Sequence, residues 1–476
     1  MKRILFLMAI LCAMQSTFAQ SIKVQQVVIT GKVINTSTTT PKAIKANFFN
    51  PLKHNGLSVK LNDRYEFKVA EEMIFAQTMT VHYADYFIYL YVAPGDSVHL
   101  TIDATLLTKK DFSWLKITGD HGTISDQLNK ANRYLDQLPY HKYDYSHSPA
   151  QLLLDFKEDY QRYLLALKDY AALHQLDPKA VELAASERKY GLANYISDYD
   201  NNDKAATIKL FGDAFFGKDD PKNFQSQMFP YYLADYLRRL TGADTTIAAA
   251  TKAHQFLTAI QKGTKILLKE TKGPSRDYMV YKYITSFLSQ NPKLVDSIPN
   301  LKSYFTDELF YQELKNSALL LRDNTFPITP IKGIQYLDAN NNPQSIPETD
   351  VFRYLAKRYP NKVIYIDVFA TWCVPCRLEF QSTPSLHQSF ADKDVVFVNL
   401  CLQSDVAAWQ KMIKTEAIKG ENYYLDNDAT KLFMGIYRLD GYPTYILVKK
   451  DGKISTTRAP RPSQPALVHK AITQLL

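Results

Sequence analysis

Two cysteines separated by two residues are the part of this sequence best suited to chemistry. Cys373-Val374-Pro375-Cys376 stands where an apolar run, 364–369, ends and a helix is predicted to begin. The backbone N–H groups and the dipole at a helix N-terminus stabilise an anion, so Cys373 is expected to ionise more readily than a free thiol. Cys373 would then be the nucleophile and Cys376 the resolving thiol. The two-residue spacing lets the sulfurs reach disulfide distance, and Pro375 stiffens the ring.

A C-x-x-C pair is also half of a zinc site, and it can be an inert structural disulfide. Zinc or copper would need further ligands, and the sequence contains no second C-x-x-C or Cys-His pair, so only Cys401 and His387 could be enlisted. An inert disulfide is disfavoured because so short a loop at the start of a helix is poorly placed to staple a fold. We therefore expect redox chemistry, with no metal and no cofactor.

The elements that must position this pair begin at about residue 324, where strands and helices alternate after a proline-punctuated linker at 324–330. The predicted elements are a strand at 333–337 with a turn at 338–342, a helix at 348–358, strands at 363–369 and 395–400, helices from 374 and near 405–416, antiparallel strands at 444–448 and 453–457, and a helix at 463–476. This pattern is a β-α-β unit followed by β-β-α, which indicates an α/β sandwich.

The residues of this region carry a family resemblance. The segment Phe369–Arg377, with the letters FATWCVPCR, resembles the active-site segment of the thioredoxin superfamily, and most closely its TlpA/ResA-like branch of exported thiol-disulfide oxidoreductases. Tyr442-Pro443-Thr444 resembles the cis-proline loop of that family. Glu379 stands where the branch carries an acid, and Asp367 where thioredoxins place a buried aspartate. The resemblance covers roughly 324–476 and implies a thioredoxin-like fold.

The resemblance implies two carboxyl groups near the resolving thiol. Asp367 and Glu379 could each accept the proton that Cys376 must lose before it attacks the mixed disulfide. Glu379 could equally be a solvated helix residue, whereas Asp367 in an apolar strand is harder to explain without a role.

The resemblance also implies a surface that binds the substrate chain. Pro443, if cis, would hold the backbone of Tyr442 and Thr444 beside the sulfurs, where a substrate strand could pair with it. Trp372 would shield the cysteine pair and contact the partner. The sequence departs from the family by inserting a helix at 348–360, and this difference is expected to affect the substrate-facing rim rather than the chemistry.

Two further groups have plainer explanations. Cys401 closes a predicted strand and is expected to be a small buried side chain, with a third redox thiol as the alternative. The acidic cluster Asp198, Asp200 and Asp203 fails the calcium-loop template, because Asp203 stands at the required glycine and Lys209 at the closing glutamate. A polar loop that links two helices is expected there.

The upstream chain divides into two compositional regimes. Residues 20–120 alternate between apolar and polar and predict an antiparallel β-sandwich, whereas 121–323 has helical periodicity and predicts an all-α domain. The predicted domains are therefore 20–120, 121–323 and a thioredoxin-like domain at 324–476. Together with the segment Tyr91–Ser97, this arrangement resembles the longer envelope members of the branch.

The first residues are predicted to direct export. A basic start, an apolar run of about eleven residues and a small-residue cleavage site predict a signal peptide at 1–19 and a periplasmic or cell-envelope location. Four cysteines in 476 residues are too few for a disulfide-stapled scaffold, and one of them, Cys12, lies in this segment. The net charge of +9 is not gathered into basic runs, so no nucleic-acid partner is expected.

These features favour an exported thiol-disulfide oxidoreductase that acts through a mixed disulfide. Its partners would be envelope proteins with disulfides and a membrane-embedded electron donor, and reductase is favoured over oxidase by resemblance alone. A peroxiredoxin is disfavoured because its peroxidatic cysteine lies in a different, threonine-containing setting. The alternative is an envelope binding or assembly protein, in which the upstream domains recognise a partner and the thioredoxin-like domain is subsidiary.

Overall fold

The structure is a computed structural model that describes residues 24–51, 57–107, 112–139, 141–197, 199, 203–288, 291–323, 330–347, 349–437, 439 and 441–476. The predicted signal peptide, Asp198, Asp200 and all but the last residue of the linker at 324–330 lie outside these ranges. Within the described residues, no helix is both long and apolar enough to cross a bilayer.

The N-terminal region is built of strands in two four-stranded sheets. One sheet has the order β4-β1-β7-β8 and the other has the order β3-β2-β5-β6. Buried side chains from both sheets, such as Leu100 and Val81, belong to one apolar cluster. The strands are β1 (Gln25–Ile34), β2 (Ala43–Asn47), β3 (Leu57–Lys60), β4 (Glu66–Met73), β5 (Gln77–Tyr83), β6 (Tyr86–Val92), β7 (Ser97–Asp103) and β8 (Leu115–Gly119).

The expectation of a purely antiparallel arrangement is wrong at one strand pair. β1 and β7 are parallel, with Ile29 opposite Val98, whereas the other paired strands of these two sheets are antiparallel. The two-residue alternation that predicted the strands reports only which face a side chain occupies. It is the same for either strand direction, so it could not distinguish them.

The middle region is helical, as predicted. Two of its helices, Thr245–Lys252 and Phe256–Glu270, are separate because the chain takes a positive φ of 58° at His254 between them. The helices are α1 (Gly122–Asp136), α2 (Pro149–His174), α3 (Pro178–Ser197), α4 (Lys204–Phe211), α5 (Phe229–Gly242), α6 (Thr245–Lys252), α7 (Phe256–Glu270), α8 (Gly273–Leu288), α9 (Leu294–Ser297) and α10 (Glu308–Asp323).

A buried carboxyl group joins the N-terminal sheets to the helical region. Glu187 of α3 accepts a hydrogen bond from the Thr78 hydroxyl of β5, and its Oε1 also accepts one from the backbone N–H of Gln227 at 3.0 Å. Burial raises the pKa of Glu187 to about 6. The hydrogen bonds lower the pKa, but burial has the larger effect. Ionisation of this group therefore costs the folded protein free energy.

Glu187→Gln is expected to stabilise the protein near neutral pH. Because the folded-state pKa is raised, the stability linked to Glu187 is full at low pH and is lost as the pH rises through about 6. The variant should be more stable than the parent by about 2 kcal/mol above that pH and equal to it near pH 4. Urea unfolding across this pH range measures the difference. The matched control is Glu182→Gln on the exposed face of α3, and an unchanged pH dependence in Glu187→Gln would refute the assignment.

The C-terminal region contains a seven-stranded sheet of order β10-β9-β13-β12-β11-β14-β15. Its central strand β11 is buried along its whole length, as expected of a strand with both faces covered. The strands are β9 (Ile334–Leu337), β10 (Pro343–Ile346), β11 (Val363–Phe369), β12 (Val395–Cys401), β13 (Glu421–Leu425), β14 (Thr444–Val448) and β15 (Ile454–Thr456). The helices are α11 (Val351–Arg358), α12 (Val374–Phe380), α13 (Thr383–Ser389), α14 (Val406–Thr415), α15 (Asn427–Tyr437) and α16 (Pro465–Thr473).

The thioredoxin-like architecture predicted for this region is confirmed, with two additions. β13 and α15 had no counterpart in the sequence prediction, and β13 places a third parallel strand beside β12. The inserted helix α11 is present, and Asp350 caps it by accepting a hydrogen bond from Arg353 N at 2.7 Å. The β9–β10 hairpin extends the sheet at its far edge.

Candidate active site

The cysteine pair lies at the junction between β11 and α12. Cys373 is the N-cap of α12, and its Sγ accepts a hydrogen bond from the backbone N–H of Cys376 at 3.1 Å. The two cysteines form a disulfide with a Cα–Cα distance of 5.4 Å. When the pair is reduced, the same N–H group and the helix dipole favour the thiolate of Cys373.

The surroundings of the two sulfurs differ in a way that separates their roles. Cys373 is 3% exposed and Cys376 is 0% exposed, so Cys376 is the more deeply enclosed of the two. The neighbouring side chains of Val374 and Leu378 are 66% and 62% exposed and form an apolar rim. Cys373 is thus the less enclosed of the two cysteines, and exposed apolar side chains stand next to it in the sequence.

Trp372 lies beside this rim and is 60% exposed. Its indole N–H donates to the carbonyl of Gln403 at 2.8 Å, and its ring meets that of Tyr442 edge to face, with centroids 5.6 Å apart. These two contacts fix the orientation of a large exposed aromatic side chain next to Cys373, where it can contact a partner.

The predicted proline loop lies on the other side of the pair. The peptide bond between Tyr442 and Pro443 is cis. β14 starts at Thr444, which is opposite Val368 in the antiparallel ladder with β11, so the loop adjoins the end of β11 that leads to the cysteines. Thr444 is buried and its hydroxyl donates to the carbonyl of Gly441 at 2.7 Å.

Asp367 is buried on the face of β11 that α12 covers. It shares that face with Phe369, whose ring meets that of Phe380 in α12 edge to face with centroids 5.3 Å apart. Asp367 Oδ1 is buried without a hydrogen bond. Burial, and then the charge of Glu379, hold the pKa of Asp367 well above its usual range. Asp367 is therefore a carboxyl group that keeps its proton to a higher pH than an exposed aspartate does, beneath the helix that carries Cys376.

Glu379 is buried, which excludes the interpretation that it is a solvated residue on the surface of the helix. It follows Cys376 by three residues and so lies on the same face of α12. Its carboxylate accepts two hydrogen bonds at 2.9 Å, from the backbone N–H and the hydroxyl of Ser463, and Arg461 lies 3.9 Å away. The segment before α16 thus holds this carboxylate in place.

Cys401 ends β12 directly opposite Phe369 in the parallel ladder. It is a buried free thiol, and burial raises its pKa to about 12. A thiol with so high a pKa is a poor nucleophile, which favours the buried apolar interpretation over a third redox thiol.

Several residues that position the site were missed by the sequence analysis. The hydroxyl of Ser404 accepts from the backbone N–H of Thr371 at 2.9 Å and so ties the loop after β12 to the loop before Cys373. Gln403, in the same loop, has a positive φ of 46° and presents its carbonyl to Trp372. Ser463, which donates to the carboxylate of Glu379, was also missed. All three are polar loop residues with no local pattern that marks them.

No group of three or more His, Cys, Asp or Glu side chains suited to a metal ion occurs among the residues that the structure describes. His387, which the sequence offered as a possible ligand, stacks on Phe397 with ring centroids 4.0 Å apart, and burial lowers its pKa to about 4.

The family model described as Redoxin matches residues 348–475. Among curated proteins, the chain is 26% identical over 98 residues to the thiol-disulfide oxidoreductase ResA of a Bacillus cereus strain and 24% identical over 98 residues to that of Bacillus anthracis. Each match covers 21% of this chain and 55% of the relative, so the chain spans about half the length of these curated proteins.

Two solved structures are also similar. The solution structure of a candidate thiol-disulfide oxidoreductase from Bacteroides vulgatus is 33% identical, with coverage of 30% of this chain and 84% of that one and a TM-score of 0.25. The solution structure of a thiol:disulfide interchange protein from a Bacteroides species is 22% identical, with coverage of 31% and 90% and a TM-score of 0.25.

Three features of the C-terminal region therefore coincide in one place. A C-x-x-C pair begins a helix after the central strand, a cis-proline precedes the adjoining antiparallel strand, and a Redoxin match spans both. Over 98 residues the chain is also similar in sequence to curated proteins named thiol-disulfide oxidoreductase ResA. The Redoxin match and the similarity to ResA proteins support a TlpA/ResA-like, thioredoxin-superfamily assignment for the C-terminal part of this chain.

Proposed function

We propose that this protein is a thiol-disulfide oxidoreductase that exchanges the Cys373/Cys376 dithiol with disulfides of other proteins. The observation that carries the proposal is the disulfide at the N-terminus of α12, in which Cys373 caps the helix and Cys376 is fully buried. The names of the similar proteins support it.

The two cysteines and the nearby carboxyl groups account for every bond, proton and electron in the proposed exchange. The thiolate of Cys373 attacks one sulfur of the substrate disulfide, forms a mixed disulfide and releases the other substrate sulfur as a thiolate. Cys376 then loses its proton to a carboxylate, for which Asp367 and Glu379 are the candidates, and attacks the sulfur of Cys373. The second substrate thiolate leaves, the pair becomes a disulfide, and two electrons have passed to the substrate.

We further propose the roles of the loop residues and the direction of the reaction. Trp372, Tyr442, Pro443 and Thr444 would bind the substrate chain. Reduction is favoured over oxidation by the family resemblance, with a membrane-embedded donor returning the two electrons. The basic and apolar start of the chain supports export to the periplasm or cell envelope.

We also propose an architecture for the two upstream regions and an alternative function in which they bind a partner. We propose domain boundaries at 20–120, 121–323 and 324–476, with the two N-terminal sheets packed as a β-sandwich around their shared apolar cluster. Recognition of an envelope partner by these regions is the alternative function, in which the redox domain would be subsidiary.

Insulin-disulfide reduction by the purified full chain, with dithiothreitol as the electron source, tests the proposal. We expect reduction well above the rate with dithiothreitol alone, and a return to that background in Cys373→Ser. The control Cys401→Ser should keep its activity because its thiol takes no part. Background rates in the unsubstituted chain would refute the enzyme and favour the binding protein.

A further inference from the structure

The segment between β15 and α16, 458–463, is tied to two strands of the C-terminal sheet. Its letters are RAPRPS, and its two prolines restrict its backbone. The backbone N–H of Ala459 donates to the carbonyl of Tyr445 in β14 at 2.8 Å. The hydroxyl of Tyr365 in β11 donates to the carbonyl of Pro460 at 2.6 Å. The segment is therefore held against the sheet before it enters α16.

Both tyrosines lie next to Asp367. Tyr365 precedes Asp367 by two residues in β11 and so shares its face of the sheet. Tyr445 is directly opposite Asp367 in the antiparallel ladder, so its side chain lies on that face as well. The two tyrosine rings are stacked with centroids 5.6 Å apart, and both side chains are buried. The segment 458–463 therefore crosses the face of the sheet on which Asp367 is enclosed.

Ser463 ends the segment with two hydrogen bonds to Glu379. Its backbone N–H donates to Oε2 and its hydroxyl donates to Oε1, both at 2.9 Å. Arg461, whose side chain is 53% exposed, has its Nη1 3.9 Å from the same Oε1. Hydrogen bonds to a carboxylate stabilise its charged form and fix its position. Ser463 thus holds the charge of Glu379 inside the protein, whereas Arg461 attracts it from a more exposed position.

The charge held in this way acts on Asp367. Burial, and then the charge of Glu379, raise the pKa of Asp367. Tyr365, Tyr445 and His387 of α13 also pack on this side of the sheet. Burial raises the pKa of both tyrosines and lowers that of His387 to about 4, so all three are uncharged near neutral pH. After burial, the charge of Glu379 therefore has the largest effect on the proton affinity of Asp367.

We propose that Ser463 is a positioning residue for the thiol-disulfide exchange: it holds the charge of Glu379 near Asp367 and thereby sets the pH at which the mixed disulfide is released. The inference rests on the proposed function, with Asp367 as the acceptor of the proton of Cys376. That proton passes to the Asp367 carboxylate, the sulfur of Cys376 attacks the sulfur of Cys373, and the substrate sulfur leaves as a thiolate. A charge fixed on Glu379 moves the ionisation of Asp367, and with it this step, to higher pH.

Stopped-flow reduction of dithiobis(nitrobenzoate) by the reduced full chain tests the proposal. The attack of Cys373 releases one thionitrobenzoate and the attack of Cys376 releases the second, so two absorbance phases separate the two steps. The second phase is followed over roughly pH 5 to 10, where a carboxyl group with a raised pKa titrates. In Ser463→Ala we expect its midpoint to move down by about half a pH unit or more, because a hydrogen bond to a charged group is lost. The first phase should be unchanged, which also shows that the variant is folded.

Three further variants make this result specific. Ser463→Thr keeps the hydroxyl and the N–H and should keep the midpoint of the parent. Glu379→Gln removes the charge and should lower the midpoint at least as far as Ser463→Ala does. The matched control is Ser385→Ala in α13, because that exposed serine donates to the carbonyl of Ser382, and it should change neither phase.

Several outcomes would overturn the proposal and leave the proposed function standing, provided that the parent reduces insulin. They are an unshifted midpoint in Ser463→Ala, a rate lowered equally at every pH, an equal shift in Ser463→Thr, and loss of the second phase in Glu379→Gln, which would make Glu379 itself the proton acceptor. A parent chain that does not reduce insulin would overturn both proposals.

Discussion

Replacing Cys376 with serine is expected to arrest the protein as a mixed disulfide. Cys373 would still attack a substrate, but no internal thiol would remain to release it, because Cys401 is buried at the end of β12. Turnover on insulin should fall by about a hundredfold or more, the scale of losses when a catalytic group is removed. The adduct should be visible as a larger species on a non-reducing gel, with the summed mass by intact mass spectrometry.

Two controls make this result specific. Cys373→Ser should form no adduct, and Cys376→Ser/Cys401→Ser should form as much as Cys376→Ser alone. An adduct that requires Cys401, or undiminished turnover in Cys376→Ser, would show that the roles of the thiols are wrongly assigned. In the native cell, the captured partner would identify the substrate.

Replacing Asp367 with asparagine is expected to slow the release of the mixed disulfide while making the fold more stable. Only the ionised carboxyl can take the proton of Cys376, and the pKa of Asp367 is raised by burial. The release rate of the parent should therefore rise as the pH rises through that elevated pKa, and Asp367→Asn should lose this rise. General acid–base groups typically contribute about 10²- to 10⁴-fold, which sets the expected loss.

The stability of the same variant distinguishes a catalytic role from a structural one. Because the folded-state pKa is raised, stability linked to Asp367 is full at acid pH and is lost as the pH rises through the folded pKa. Asp367→Asn should match the parent in acid and exceed it at higher pH, in urea unfolding. The control Asp394→Asn, on an exposed side chain just before β12, should change neither property. If Asp367→Asn keeps the parent's release profile, the proton acceptor is another group.

The position of the cysteine pair at the start of a helix could be predicted because the signals for it lie close together in the sequence. The buried strand, the two cysteines and the start of α12 occupy one short segment, in which hydrophobicity, spacing and helix-capping chemistry all act locally. The turn between β9 and β10 was predicted for the same reason, since Asp338 and the three asparagines after it form a strong local turn signal.

What could not be predicted depends on pairs that are distant in sequence. Ser463 and Glu379 are 84 residues apart, so no local pattern shows that this serine holds the carboxylate. β13 was missed because its five residues carry a weak strand signal, and it is stabilised by pairing with β12 and β9. The parallel pairing of β1 and β7 was missed because alternation contains no information on direction.

The two edge strands of the seven-stranded sheet, β10 and β15, determine whether the sheet can pair with strands of other chains. An open sheet edge carries unpaired backbone N–H and C=O groups, with which a strand of another chain can pair and aggregate. One edge here is β10, four residues long, which starts at a proline and exposes Pro343, Gln344 and Ser345. The other is β15, three residues long, with an irregular register against β14. Both edge strands are short and offer few unpaired backbone groups, so neither end of the sheet presents a long template on which another strand could pair.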